Sequence, residues 1–268
     1  MTDLPQTEAL DLEYEAGWLT IWFNQPEARN PLTRERTGDL KAVCAAIADK
    51  RDIRGVTIRG RGGVFCAGGD LKAFRSVFQG DANRDEITAM SLEAAALFDA
   101  VNTLPQVTVM AVEGAAMAGG FGLACVGDVV IADEAARFSL TETTIGLTPA
   151  EISPFVLQRL GAREGRRLML LASTLDAAEA QSAGLVDAVV AGPAAMDAAI
   201  QAIGKQVRRC APGAVAETKR LILTLPYLER QAQARAAAES FADSMVSDEA
   251  REGVASFLEK RKPEWAER

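Results

Sequence analysis

The sequence contains no histidine among its 268 residues. A chain without histidine cannot build a Ser–His–Asp triad, a Cys–His pair or the H-E-x-x-H metal site. Histidine is also the side chain that ordinarily titrates near neutral pH. Any proton transfer by this protein must therefore use a carboxylate, lysine, tyrosine or cysteine whose pKa is shifted by its surroundings.

Basic charge and long apolar runs are also scarce. The chain carries 29 Lys and Arg against 37 Asp and Glu, a formal net charge of −8, which argues against nonspecific binding to nucleic acid. No stretch is apolar for long enough to span a bilayer, and the acidic segment over residues 1–17 does not resemble a signal peptide. We therefore expect a cytoplasmic protein that binds neither nucleic acid nor a membrane.

Cysteine is sparse as well, with only Cys44, Cys66, Cys125 and Cys210. None of the four belongs to a C-x-x-C pair, so neither a zinc site nor a redox motif is expected. We predict that they are buried as small hydrophobic residues in a reducing compartment, and we predict no metal site.

The chain changes character near Pro149. Strands alternate with helices before this point, and helices dominate after it. We expect an α/β part over residues 1–195 and a helical C-terminal region over residues 196–268. Strands are predicted at Leu19–Phe23, Gly55–Arg59, Val107–Val112 and Val129–Ala132. Helices are predicted at Thr33–Asp49, Ile87–Leu104, Glu151–Leu160, Arg163–Ala172, Ala177–Ala183, Ala194–Arg208, Ala214–Leu223, Tyr227–Met245 and in a last segment that ends near Lys262.

Two glycine-rich loops carry the first functional signal, at residues 60–72 and 114–122. Each follows a predicted strand and runs into a predicted helix, so its backbone N–H groups lie where the helix dipole favours negative charge. Neither loop completes a G-x-G-x-x-G pattern, and no G-x-x-x-x-G-K-[ST] exists in the chain, which argues against a nucleotide site. From the glycines alone, two tight turns without a ligand remain an equal alternative.

Five segments together resemble the crotonase (enoyl-CoA hydratase/isomerase) superfamily, in the family's order and over nearly the whole chain. They are Asn24–Leu32, Phe65–Lys72, Val112–Asp128, Phe138–Pro149 and Phe257–Pro263. The resemblance implies an α/β fold, a crotonase-like spiral of ββα turns with a C-terminal helical trimerisation region. It also implies a homotrimer or homohexamer.

The resemblance implies catalytic roles for three residues. The backbone N–H groups of Gly69 and Gly119 match the family's oxyanion hole, which stabilises the enolate oxygen of a thioester. Glu142 matches a glutamate that acts as acid or base in hydratases; the alternative is a solvated glutamate in a turn with neighbouring threonines. The best-known hydratases carry a second glutamate where this chain has Gly122. Either Glu142 then serves as base and acid in turn, or another group such as Glu151 supplies the second function.

The resemblance also implies that the substrate carries coenzyme A, with no permanently bound cofactor. Six residues match positions on the CoA side of the site, the last two often contributed by a neighbouring subunit: Ala28, Arg29, Ala67, Lys72, Phe257 and Lys260. For the lysines, a solvated surface charge is the alternative. These basic groups would supply the local positive patch that an acidic protein needs for a polyanion.

Three functions remain open on the sequence. The first is an enoyl-CoA hydratase. The residue sequences of Gly119–Val126 and Gly146–Phe155 are most similar to those of hydratases that act on isohexenylglutaconyl-CoA and 3-methylglutaconyl-CoA. The second is a Δ3,Δ2-enoyl-CoA isomerase, for which one glutamate suffices. The third is an acyl-CoA binding protein without catalysis. Assembly is expected to bury apolar side chains of the C-terminal region: Leu221, Ile222, Leu223, Leu225, Phe241, Met245, Phe257 and Leu258.

Overall fold

The computed structural model describes residues 4–70, 75, 80 and 83–266. In this part of the chain, nine strands form two sheets. The strands are β1 Leu10–Glu15, β2 Trp18–Phe23, β3 Gly55–Gly60, β4 Val107–Val112, β5 Ala115–Met117, β6 Val129–Asp133, β7 Arg137–Ser139, β8 Leu175–Asp176 and β9 Ala188–Val190. The larger sheet has the order β1-β2-β3-β4-β6-β9, and the smaller has the order β5-β7-β8.

The helices fall on both sides of Pro149. Those before it are α1 Arg34–Ile47, α2 Arg84–Asn102 and α3 Gly119–Val126. Those after it are α4 Ser153–Leu171, α5 Ala177–Ser182, α6 Gly192–Arg208, α7 Pro212–Thr224, α8 Arg230–Met245 and α9 Asp248–Leu258. Among the described helices, none is long and apolar enough to cross a membrane.

The large sheet is covered on both faces. Except for the antiparallel β1–β2 pair, its strands are parallel, and β3 is buried along its whole length. Successive residues of β4 belong to different apolar clusters: Met110 joins the main core, whereas Val109 packs in a second cluster with Met196 of α6. Because side chains alternate between the two faces of a strand, both faces carry packed layers.

Most of the predicted elements are confirmed. The strand at Val107–Val112 has the predicted bounds, and Thr33 caps α1 by accepting a hydrogen bond from the N–H of Arg36 at 3.2 Å. The two helices predicted over residues 151–172 are joined through a kink at Gly161, whose φ is 69°. Helix α8 starts at Arg230 instead of Tyr227, because Leu225–Tyr227 forms a separate 3₁₀ turn.

Five strands were not predicted. Strands β5, β7, β8 and β9 have only two or three residues each, too few to show an alternating pattern. In strand β1, apolar and acidic residues do alternate, with the sequence LDLEYE, so the sequence contained a pattern that indicates a strand.

The cysteine prediction is wrong at one position. Cys44, Cys66 and Cys125 are buried free thiols, but Cys210 is exposed. It lies just beyond α6, in the short connection to α7, where no core surrounds it. The division at residues 195 and 196 stays a prediction; both residues lie within α6.

Candidate active site

The small sheet holds the two glycine loops together. The N–H of Cys66 donates to the Ala115 oxygen at 3.0 Å, and the N–H of Met117 donates to the Cys66 oxygen at 2.9 Å. On the other side of the first loop, the N–H of Leu32 donates to the Gly68 oxygen at 2.8 Å. The first loop is therefore fixed between the segment at Leu32 and strand β5.

Helix α3 begins at Gly119, immediately after a residue in an uncommon conformation. Ala118 has φ 50° and ψ −118°, and its N–H donates to the Ser139 oxygen at 2.8 Å. A non-glycine residue with positive φ is strained, and such strain persists where the surroundings impose it. Gly119 is the first residue of the helix, so its N–H has no acceptor within the helix. The turn at Ala118 thus leaves the Gly119 N–H available to a ligand.

The predicted pair of N–H donors is brought together. A Cβ atom built on Gly119 would lie 3.8 Å from the Gly69 nitrogen, and one built on Gly68 would lie 3.4 Å from the Gly119 nitrogen. Neither N–H of the pair donates a hydrogen bond to any residue that the structure describes. Gly69 is exposed and Gly119 is half-buried, so both residues of the pair are accessible from the surface. Paired backbone N–H groups of this kind can stabilise an anionic oxygen.

A side chain at either neighbouring glycine of α3 would disturb this arrangement. The Cβ of a residue at Gly119 would come within 2.9 Å of Leu32 Cδ1, and at Gly120 it would lie 2.4 Å from the Cys66 oxygen. The second contact is with backbone, which cannot move without disrupting the first loop. Close approach of the two loops therefore requires glycine at residue 120, whereas at residue 119 the flexible end of Leu32 can move aside.

Glu142 opens the 3₁₀ helix Glu142–Ile145, three residues after the end of β7 at Ser139. Its side chain is half-buried, and its Oε2 atom is buried without a hydrogen-bond partner among the described residues. Burial is the largest effect and raises the pKa of the Glu142 carboxyl. A hydrogen bond from its own backbone N–H opposes this increase, and the negative charge of Glu151 adds to it. These features differ from those of a fully solvated turn glutamate.

The position of the absent second glutamate is filled by Ile152, which directly precedes α4, and by Phe98 of α2. A Cβ built on Gly122 would lie 2.2 Å from Cγ2 and 2.8 Å from Cβ of Ile152, and 3.1 Å from Cε1 of Phe98. Ile152 and Phe98 are themselves buried. The wall at this point is therefore apolar, and it has no room for any side chain at residue 122.

Glu151 directly precedes Ile152 in the chain. It is half-buried, and the Ser91 hydroxyl of α2 donates to its Oε1 atom at 2.7 Å. Sequence reasoning named Glu151 only as a spare carboxylate and missed Ser91 altogether. The two residues are 60 positions apart in the chain, and no local sequence pattern predicts a contact over that separation.

Three of the predicted CoA-side residues lie together. Ala28 and Arg29 are exposed, and the Arg29 oxygen accepts a hydrogen bond from the Ala67 N–H at 3.0 Å. Buried Asn30, which was not predicted, holds the arrangement: its side-chain amide donates to the oxygens of Arg61 and Val64 at 3.0 and 2.6 Å.

Three further predictions on the CoA side have different outcomes. Lys72 lies outside the described residues. Phe257 and Lys260 are exposed at the end of α9, and within the described part of one chain no hydrogen bond or ion pair joins them to the glycine loops. Their expected contribution from a neighbouring subunit stays a prediction. In the same part of the chain, no group of three or more metal-ligating side chains is found.

Comparison with known proteins identifies the family. The sequence matches the enoyl-CoA hydratase/isomerase family over residues 13–268. A Thermus thermophilus protein with an enoyl-CoA hydratase name is 34% identical over 253 residues, covering 94% of this chain and 99% of the relative. The 2,3-dehydroadipyl-CoA hydratase of Escherichia coli is 28% identical over 248 residues, covering 92% and 94%.

Solved structures agree with this match. AtuE of Pseudomonas aeruginosa is 40% identical and superposes with a TM-score of 0.93, covering 97% of this chain and 100% of that one. An enoyl-CoA hydratase/isomerase from Marinobacter aquaeolei is 37% identical with a TM-score of 0.92, covering 96% and 99%. The predicted crotonase-like α/β fold with C-terminal helices is confirmed. The chain therefore belongs to the enoyl-CoA hydratase/isomerase, or crotonase, family.

Proposed function

We propose that the protein is an enoyl-CoA hydratase that adds water across the 2,3-double bond of an acyl-CoA thioester. One observation carries the proposal: the N–H groups of Gly69 and Gly119 are brought together with no hydrogen-bond partner among the described residues. We place Glu142, whose buried Oε2 atom also has no partner there, in the same site. The two N–H groups suit an enolate oxygen, and the Glu142 carboxyl suits a proton transfer at the neighbouring α-carbon.

The chemistry assigns each group a task. When water adds to the β-carbon, negative charge moves onto the thioester oxygen, and the two N–H groups stabilise that charge. Removal of one such donor typically lowers kcat by about 10²–10³-fold. Glu142 exchanges a proton with the α-carbon, and burial, which raises the pKa of its carboxyl, favours the protonated form that donates.

The substrate side is proposed from the family motifs. Ala28, Arg29 and Ala67 line the CoA end of the site, with Lys72, and with Phe257 and Lys260 from a neighbouring subunit. We propose a branched glutaconyl group as the acyl part, on the resemblance of the loops at residues 119–126 and 146–155. A homotrimer or homohexamer in the cytoplasm completes the proposal; it is supported by the exposed apolar side chains Ile222, Phe241, Met245, Phe257 and Leu258.

Isomerisation is the second candidate, and one observation favours it. The chain has Gly122 in place of the family's usual second glutamate, and Ile152 and Phe98 fill the space beside it. A Δ3,Δ2-isomerase requires only Glu142. Binding without catalysis fits less well, because a buried carboxyl oxygen without a hydrogen-bond partner, as at Glu142 Oε2, is costly in a purely structural role.

A substrate screen distinguishes these functions. Purified protein is tested with a straight-chain 2-enoyl-CoA, a 3-enoyl-CoA and a branched glutaconyl-CoA, and hydration and double-bond movement are measured separately. Glu142→Gln, which keeps the shape of the side chain, serves as the control. Hydration that depends on Glu142 supports the proposal, and preference for the glutaconyl ester supports the acyl assignment. Double-bond movement without hydration favours the isomerase, and tight binding without either reaction favours the binding protein.

A further inference from the structure

Hydration requires two proton movements at different places. The water that attacks the β-carbon must lose a proton, and the α-carbon must gain one. Glu142 is the carboxyl assigned to the α-carbon, and Gly122 supplies no side chain for the water. The atoms nearest to a Cβ built at Gly122 belong to the apolar side chains of Ile152 and Phe98.

A carboxylate nevertheless occurs beside Ile152 in the chain. Glu151 directly precedes Ile152, and its half-buried side chain is oriented by the Ser91 hydroxyl, which donates to Oε1 at 2.7 Å. This contact connects α2 to the start of α4. Among the described residues, no other hydrogen bond to the Glu151 carboxylate is found, so its Oε2 atom remains able to accept one from water.

Glu151 and Glu142 also belong to one electrostatic environment. The charge of Glu151 raises the pKa of the Glu142 carboxyl in addition to the larger effect of burial. The two carboxyl groups therefore interact electrostatically, which requires that they lie near each other.

We propose that Glu151, oriented by Ser91, is the second catalytic carboxylate of this site and replaces the side chain that Gly122 lacks. The proposal rests on the hydratase function proposed above. Glu151 removes a proton from water as the water oxygen bonds to the β-carbon. The electrons of the double bond move toward the thioester oxygen, and the α-carbon takes a proton from Glu142. The proton on Glu151 then returns to Glu142, and the net change is addition of one water.

Two assays separate the tasks of the carboxylates. Hydration needs both, whereas exchange of the α-proton of a saturated acyl-CoA with deuterated solvent needs only Glu142 and the oxyanion site. We expect Glu151→Gln to lower the kcat of hydration by about 10²–10⁴-fold with exchange retained. We expect Glu142→Gln to lower both the rate of hydration and the rate of α-proton exchange. Glu93→Gln serves as the matched control, because Glu93 lies on α2 close to Ser91 but is half-exposed and faces Lys41 at 3.9 Å.

Ser91 is a positioning residue, and its variants test the orientation of Glu151 without removing the charge. We expect Ser91→Ala to lower kcat with little change in KM, and Ser91→Thr to restore activity because it keeps the hydroxyl. These variants also keep the proposal testable if Glu151→Gln does not fold.

Each result has one consequence. Hydration by Glu151→Gln at the rate of the unmodified protein overturns the proposal, as does equal loss of hydration and exchange in a folded variant. If the unmodified protein exchanges α-protons but hydrates no thioester, the hydratase function itself fails, and the role of Glu151 fails with it.

Discussion

The contact between Gly122 and Ile152 permits a quantitative prediction for Gly122→Ala. In the interior of a helix, alanine is favoured over glycine by about 0.5–1 kcal/mol. At this position, however, the new methyl group would lie 2.2 Å from Ile152 Cγ2 and 3.1 Å from Phe98 Cε1. Overpacking of a core typically costs about 1–3 kcal/mol. The clash therefore dominates, and we expect a net destabilisation of about 1–2 kcal/mol.

Two further variants isolate the cause. Gly38→Ala in α1 is the matched control, because a Cβ there meets no atom within 4 Å, and it should stabilise by about 0.5–1 kcal/mol. Ile152→Ala alone should cost about 2–5 kcal/mol through the cavity it leaves. In the double variant the methyl at residue 122 occupies part of that cavity, so the two changes should couple favourably by about 0.5–3 kcal/mol.

Thermal unfolding measured at one protein concentration provides the assay, since the apparent Tm of an oligomer depends on concentration. For a chain of this size, about 1–2 kcal/mol corresponds to a decrease of about 2–8 °C in Tm. A Gly122→Ala protein as stable as the unmodified one, or strictly additive effects in the double variant, would refute the packing argument. Either result would also mean that the space beside residue 122 can hold a side chain.

Three other predictions concern the site and the assembly. Glu142→Gln should raise the free energy of unfolding at pH 7, because the raised pKa makes the ionised carboxyl costly in the folded state. This gain in stability should disappear below about pH 4, where the carboxyl is protonated in both the folded and the unfolded state. A gain that does not change with pH contradicts this cause. Gly69→Pro removes one N–H donor and should abolish most hydration even if circular dichroism shows a folded protein; normal turnover would exclude Gly69 as a donor. Deletion of the chain after Ser256, and the milder Phe257→Ala, should weaken the binding of CoA esters measured by calorimetry before the α/β core unfolds. Light scattering should show a trimer or hexamer. A fully active monomer contradicts a site shared between subunits.

The sequence alone determined the features whose causes are local. The apolar run Val107–Val112 predicts a buried strand, and Thr33 predicts the start of α1 because its hydroxyl can accept from the first turn. The glycine loops and Glu142 stand out by residue type and order. Such signals depend on neighbours along the chain, so they can be read without coordinates.

The tertiary structure decided what depends on distant neighbours. Only the packed chain places Ser91 against Glu151, 60 residues away, and fills the space beside Gly122 with Ile152 and Phe98. Burial of Glu142 Oε2 likewise results from the elements packed around it, and the same glutamate would be an ordinary surface residue in an open turn. Packing and charge interactions act through space, and the order of residues does not by itself specify which distant side chains will meet.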